Sequence, residues 1–271
     1  VSEPVKRILT ALIGAPVVLG LVYVGGWPLA LLVAAAGAVG QYETYRLFRR
    51  EGFKPLAFVG YPIGVLLVCI PLWPTAGIWA LLGLLLMLGT VPFLRSDRPL
   101  HSFAATLAGI VYPPVLLSSV LYLRTGAGRA LGVEDAFYLT SFVLVLIWGA
   151  DVGAYYVGKT LGRRPLAPQI SPNKTWEGVA GGTGAAMLMA LGAGLTGAVV
   201  LSWVHLLGLV LICAVTSPIG DLLESRFKRS VEVKDAGSIL PGHGGMMDRI
   251  DGLVYTVPLL VLYLRYVASL W

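Results

Sequence analysis

Residues 203–223 read WVHLLGLVLICAVTSPIGDLL, and the chain continues ESRFKRS over 224–230. From Trp203 to Gly220 there is no Asp, Glu, Lys or Arg. About 20 mostly apolar residues suffice for a helix to cross the hydrocarbon of a bilayer. The stretch therefore predicts a membrane-spanning helix over 203–223. It ends in charge: Asp221 and Glu224 are three apart and share a helix face, and Lys228 and Arg229 follow.

The rest of the chain reads the same way. Of 271 residues, 57% are hydrophobic and 13% charged, and mean hydropathy is +0.81. A soluble domain carries about a quarter charged residues, so these charges are too few to form a polar shell, and lipid must cover the surface. Eight more stretches have the length and character of spans: 8–25, 27–46, 56–73, 75–94, 102–123, 136–158, 177–200 and 252–270. The expected fold is an all-α integral membrane protein of about nine transmembrane helices. The closest splits fall at Trp27–Pro28 and Trp73–Pro74.

Charge gives this pattern an orientation. With the N-terminus cytoplasmic, seventeen of the 20 Lys and Arg fall in inside segments, and only Arg124, Arg129 and Arg265 fall outside. Positive residues favour the cytoplasmic side. The reading is a multi-pass protein of the cell inner (cytoplasmic) membrane. The apolar stretch after Lys6 and Arg7 is read as a retained helix, since no small-residue cleavage site follows. Residues 1–130 form N-terminal transmembrane helices, and 131–271 hold the charged motifs. The net charge of +6 does not argue for nucleic acid, because the basic residues sit as short clusters between spans, facing anionic lipid or anionic substrates. Cys69 and Cys213 lie in apolar stretches and read as buried thiols.

Three motifs carry chemistry. The first joins Asp221 and Glu224 to Asp248 and Asp251 through Lys228, Arg229, Lys234, Asp235 and His243-Gly244-Gly245, with Arg249 between the last two acids. Two acidic pairs at helix ends on one membrane face are hard oxygen donors that suit Mg²⁺, which takes carboxylates together with substrate phosphates. The cations neutralise phosphate, and glycines let backbone N–H groups approach an anion. A solvated loop with helix caps accounts for each residue alone, but not for two Asp, a His, two Gly and an Arg within nine residues. The second motif places Asp151 inside an apolar span, where an acid is costly and functional by default; the alternative is a structural partner to the helix backbone or to Lys159. The third runs from Ser171 to Gly178. Ser171, Asn173 and Lys174 offer donors to a phosphate or a base. Thr175 is placed to cap the next helix, Glu177 to complement its dipole, and Gly178 and Gly182 to form a packing face. His101 and His205 stand alone near helix ends and read as non-catalytic. Arg46, Arg49, Arg50 and Lys54 read as topology charges.

Residues 225–251, with Ser225, Phe227, Lys228, Arg229, Lys234, Asp235, Gly237, Leu240, Pro241, His243, Gly244, Gly245, Asp248, Arg249 and Asp251, resemble the C-terminal signature of the phosphatidate cytidylyltransferases, or CDP-diacylglycerol synthases. The stretches GADVGAYYVGK and LAPQISPNKTWEG resemble that family's upstream motifs. The resemblance implies an all-helical membrane enzyme whose substrates are CTP and phosphatidate, and a homodimer. The expected reaction is attack of the lipid phosphate on the α-phosphorus of CTP, with a divalent metal and a second cation beside it. Asp221, Asp248, Asp251 and Glu224 are expected to hold the metal. Asp221, Asp248, Lys174 and Asp151 are the expected catalytic set, and Ser171, Asn173, Lys228, Arg229, Lys234, Asp235, His243, Gly244, Gly245 and Arg249 the substrate contacts. A CDP-alcohol phosphotransferase is the nearest rival, but its spaced aspartate array is absent. A cation-coupled transporter would account for Asp151 and Asp221 within spans, but the motifs gather at one face and not at the midplane.

Overall fold

A computed structural model describes residues 3–233, 236–237 and 245–271, with side chains described from residue 12 onward except at 74–76 and 80. Lys234, Asp235, Leu240, Pro241, His243 and Gly244 lie outside the described residues. The helices are α1 (Glu3–Val24), α2 (Gly26–Arg50), α3 (Ala57–Cys69), α4 (Pro74–Arg95), α5 (Pro99–Ile110), α6 (Leu116–Leu131), α7 (Val133–Leu161), α8 (Trp176–Thr196), α9 (Trp203–Ser230) and α10 (Met247–Tyr266). Strands β1 (Pro165–Ala167) and β2 (Ser171–Thr175) separate α7 from α8.

Each expected apolar segment has a helical counterpart. Among the described residues, five helices are long and apolar enough to cross a membrane: Gly77–Arg95, Pro99–Leu131, Val133–Leu161, Trp176–Thr196 and Trp203–Ser230. Leu12–Val24 and Ala57–Leu72 are shorter apolar helices. Lipid-facing character shows on their surfaces, where Trp79 is 75% and Leu94 81% exposed; a water-facing surface rarely carries such contiguous apolar area. The chain is thus a helical, multi-pass membrane protein.

Local chemistry sets the breaks. The split expected at Trp27–Pro28 falls at Gly25 and Gly26, whose φ values of 66° and 51° are open to glycine without strain. α5 and α6 form one helical body through a wide turn at Val111–Val115. Pro113 and Pro114 lie in that turn and lack the N–H that a regular helix would use. Arg124 is not an exposed topology charge. It is 5% exposed, and it donates from Nε to Val22 O at 2.8 Å and from Nη2 to Tyr23 O at 3.2 Å. Its guanidinium thereby satisfies carbonyls that the end of α1 leaves unpaired.

Two compact units divide the chain: Val1–Thr125 with Ser230–Ile250, and Gly126–Arg229 with Asp251–Trp271. In the first, Val59, Ile63, Leu84, Leu88 and Ile110 form an apolar core. Beside it lies a buried polar knot. Gln41 Nε2 donates to Tyr45 Oη at 2.9 Å and to Gly60 O at 2.8 Å, and Tyr45 Oη donates to Thr106 O at 3.0 Å. These bonds tie α2, α3 and α5 together where no water competes.

In the second unit, α7 and α8 pack backbone to backbone. A Cβ at Gly182 would stand 2.7 Å from Ala150 O, and one at Gly178 2.9 Å from Ala154 O. This is the packing face expected of the Gly178–Gly182 pair. α9 meets α10 as closely, since a Cβ at Gly220 would lie 2.9 Å from Asp251 O. Thr216 Oγ1 donates to Thr256 Oγ1 at 3.0 Å, and His205 Nδ1 lies 3.2 Å from Tyr263 Oη.

The α7–α8 contact makes a direct prediction. Gly182→Leu forces the helices apart and should destabilise the protein by about 1–3 kcal/mol or more, as overpacking does. Gly184→Leu, where nothing lies within 4 Å, should leave stability unchanged or slightly raised. Thermal melts of the two variants in one detergent check this; equal melting points would contradict the packing.

Candidate functional site

The connection between α7 and α8 is a β-hairpin. β1 and β2 pair antiparallel, Pro165 with Thr175 and Ala167 with Ser171. Its base is fastened by Glu177, whose Oε2 accepts from Arg163 N and Arg164 N, each at 3.1 Å. Trp176 N donates to Arg164 O at 3.0 Å. Thr175 caps α8 as expected, its Oγ1 accepting from Gly178 N at 3.1 Å. Glu177, read from sequence only as a dipole partner, therefore also fixes the hairpin that carries Ser171, Asn173 and Lys174.

That hairpin stands over a cavity of about 700 Å³ lined from α7, α8 and α9, a volume suited to a small ligand. Its polar lining includes Asp151, Lys159, Ser171, Asn173, Lys174 and Asp221. Ala150, Ala154, Val179, Ala214 and Pro218 give apolar wall. One cavity thus presents both charged and hydrocarbon-like surface.

The charges are arranged around Asp221. Lys174 Nζ lies 2.6 Å from Asp221 Oδ2, both side chains about a quarter exposed. Beyond this ion pair, Lys174 Nζ has no hydrogen-bond partner among the described residues, so the ammonium keeps donors for a further acceptor. Asp151 Oδ1 accepts from Ser217 Oγ at 2.8 Å and lies within electrostatic range of Asp221 and Lys174. Asp251 lies within electrostatic range of Asp221 and Glu224. Glu224, 2% exposed, is paired with Lys228 one turn on, Nζ to Oε2 at 3.1 Å. Four carboxylates here meet two lysine ammoniums. Carboxylates gathered in one place repel one another unless protons or cations offset their charge.

This donor set bears on the metal. Among the described residues, no three His, Cys, Asp or Glu side chains are grouped to hold an ion by themselves. Mg²⁺ needs no such cage, because it is usually bound through one or two carboxylates plus phosphate oxygens and water. Asp221 and Asp251 fit that mode, with negative charge in excess around them.

Other expected residues are placed separately. Gly245, Asp248 and Arg249 belong to the first unit. Asp248 Oδ2 accepts from Gly245 N at 2.9 Å at the head of α10, and Arg249 and Arg229 are exposed. Ser217, which also lines the cavity, went unmarked in the sequence. Ser217 was findable, since it lies four residues before Asp221 and so shares its helix face. Lys159 lies 5.7 Å over the Tyr155 ring, and the partner that Asp151 takes is Ser217.

Residues 5–267 match the model of the cytidylyltransferase family. The chain is 36% identical to a phosphatidate cytidylyltransferase of Bacillus subtilis (strain 168), over 94% of this chain and 95% of that one. It is 33% identical to one of Synechocystis, over 94% of each, and 36% identical to one of Pseudomonas aeruginosa, over 98% and 96%.

The excess of carboxylates predicts a response to divalent cation. Mg²⁺ should raise the melting temperature of the wild-type protein, because it binds the folded arrangement. The rise should vanish in the Asp221→Asn, Asp251→Asn double variant. An undiminished rise in that variant would remove these acids from the metal site.

Proposed function

The chain belongs to the cytidylyltransferase family, and we propose that it transfers the cytidylyl group of CTP to phosphatidate, forming CDP-diacylglycerol and pyrophosphate. The observation that carries this reading is the cavity itself. It sets a lysine with uncommitted donors and a cluster of acids against apolar walls built from membrane-class helices. A phospholipid phosphate and a nucleoside triphosphate need both kinds of surface.

A phosphatidate oxygen attacks the α-phosphorus of CTP in line. The bond to the β-phosphate oxygen breaks, and pyrophosphate leaves. The attacking oxygen is already anionic, so no protein nucleophile is required, and the chain contributes position and charge neutralisation. Lys174, on the hairpin, donates to phosphate oxygens; Ser171 and Asn173 beside it add polar contacts. Asp221 orients Lys174 through their ion pair. Ser217 fixes Asp151, which keeps negative charge beside that lysine. Asp221 and Asp251 would hold Mg²⁺, with Asp248 one helical turn before Asp251 in the sequence; a bound ion would supply charge neutralisation at phosphate oxygens. Glu224 holds Lys228 toward the same cluster. Arg229, Arg249, Lys234 and His243, with Gly244 and Gly245, supply the remaining anion contacts, and Asp235 belongs to the same loop. A second cation, nine crossings with a cytoplasmic N-terminus, an inner-membrane location with the site at its cytoplasmic face, and a homodimer complete the proposal. The clustering of Lys and Arg supports the orientation.

The test is pyrophosphate release by detergent-purified protein given CTP, phosphatidate and Mg²⁺, each omitted in turn. Release should require all three. Lys174→Met and Asp221→Asn should each cut turnover about 100-fold or more, the scale on which a lost charge-stabilising group acts, while melting as folded proteins. Near-normal turnover in either folded variant would overturn its assigned role.

A further inference from the structure

α2 carries an acid that the proposed chemistry does not use. Glu43 is fully buried, yet no lysine or arginine pairs with it among the described residues. Its Oε1 accepts from Met246 N at 3.0 Å and its Oε2 from Met247 N at 2.8 Å. Those are amides at the N-terminal end of α10, which a helix leaves unpaired and which favour a negative charge. One turn further along α2, Arg46 Nη2 donates to Ala236 O at 2.6 Å. Thr44 Oγ1 contacts Met247 Sδ at 3.3 Å. The loop backbone is pressed onto the acid: a Cβ at Gly237 would collide with Glu43 Oε1, and one at Gly245 would stand 2.8 Å from both oxygens. Both described ends of the signature loop are therefore fastened to α2.

The fastening continues to Asp248. Gly245, held against Glu43, donates from its N–H to Asp248 Oδ2 at 2.9 Å. We propose that Glu43 is a positioning residue for the transfer: it fixes the head of α10 and the glycine backbone before it, and through them the direction of the Asp248 carboxylate. The inference rests on the function proposed above. Glu43 touches no substrate, because its oxygens are occupied by backbone donors inside the protein. Its side chain acts one contact behind the residues that meet phosphate and metal.

Glu43→Gln tests this while keeping the shape of the side chain. One oxygen becomes an amide donor facing a backbone N–H. Turnover should fall about 10- to 100-fold, as when a partner behind a metal ligand is lost, and half-saturating Mg²⁺ should rise. Hydrogen exchange over residues 245–247 should quicken while exchange in α3 to α5 stays as in wild type. Gly237→Ala, which leaves α2 untouched and pushes the loop off Glu43, should produce the same three changes and decides the matter if Glu43→Gln does not fold. A folded variant with wild-type turnover and Mg²⁺ dependence would overturn the proposal, as would lost turnover with unchanged exchange over 245–247. If wild-type protein makes no CDP-lipid, the functional reading falls instead, and the exchange change alone still reports the fastening.

Discussion

The ion pair of Lys174 and Asp221, 2.6 Å across, is the constraint on which the second unit's site depends. It joins the β-hairpin to α9 inside a protein with few charges to spare. Every other polar group nearby takes its place relative to it. Asp251 lies within electrostatic range of Asp221, Asp151 lies within range of both members of the pair, and Ser217 holds Asp151. An isolated ion of either sign would be expensive to bury here, and removing one partner leaves the other uncompensated. A pair within a larger acidic cluster is tolerated, and it is ready to exchange partners when a triphosphate and a cation arrive.

The hairpin explains how a short, exposed connection places a lysine so definitely. Glu177 takes two backbone N–H groups at its base, and Thr175 caps the helix that follows. Beneath it, α7 and α8 approach through glycines, and Asp151 of one helix and Thr175, the cap of the other, both line the cavity. The first unit uses a different device for its loop. There a buried acid and an arginine on α2 take hold of backbone groups on either side of the signature motif.

Much of this was legible before any coordinates. Helices follow from uninterrupted apolar runs, and such runs dominate the chain, so the segments were read nearly to their ends. Asp151, Lys174 and Asp221 stood out because charge inside or beside an apolar run is costly and needs a reason. The hairpin was not legible, because Pro165–Thr175 has neither strand alternation nor a strong turn pair. The capping role of Arg124 at the end of α1 was not legible, because a positive residue near a span end serves topology and helix capping equally well in sequence. Glu43 was passed over although the rule that singled out Asp151 applies to it: its partners are backbone amides some two hundred residues away, and no sequence pattern marks a backbone partner.

The central claim is that a phosphatidate oxygen displaces pyrophosphate from the α-phosphorus of CTP. It is tested most directly by following label. With CTP labelled at its α-phosphorus, the account predicts label in a solvent-extractable lipid; with label at the γ-phosphorus, it predicts label only in water-soluble pyrophosphate. Label from the γ position entering lipid, or α label released as free CMP with none in lipid, would contradict it.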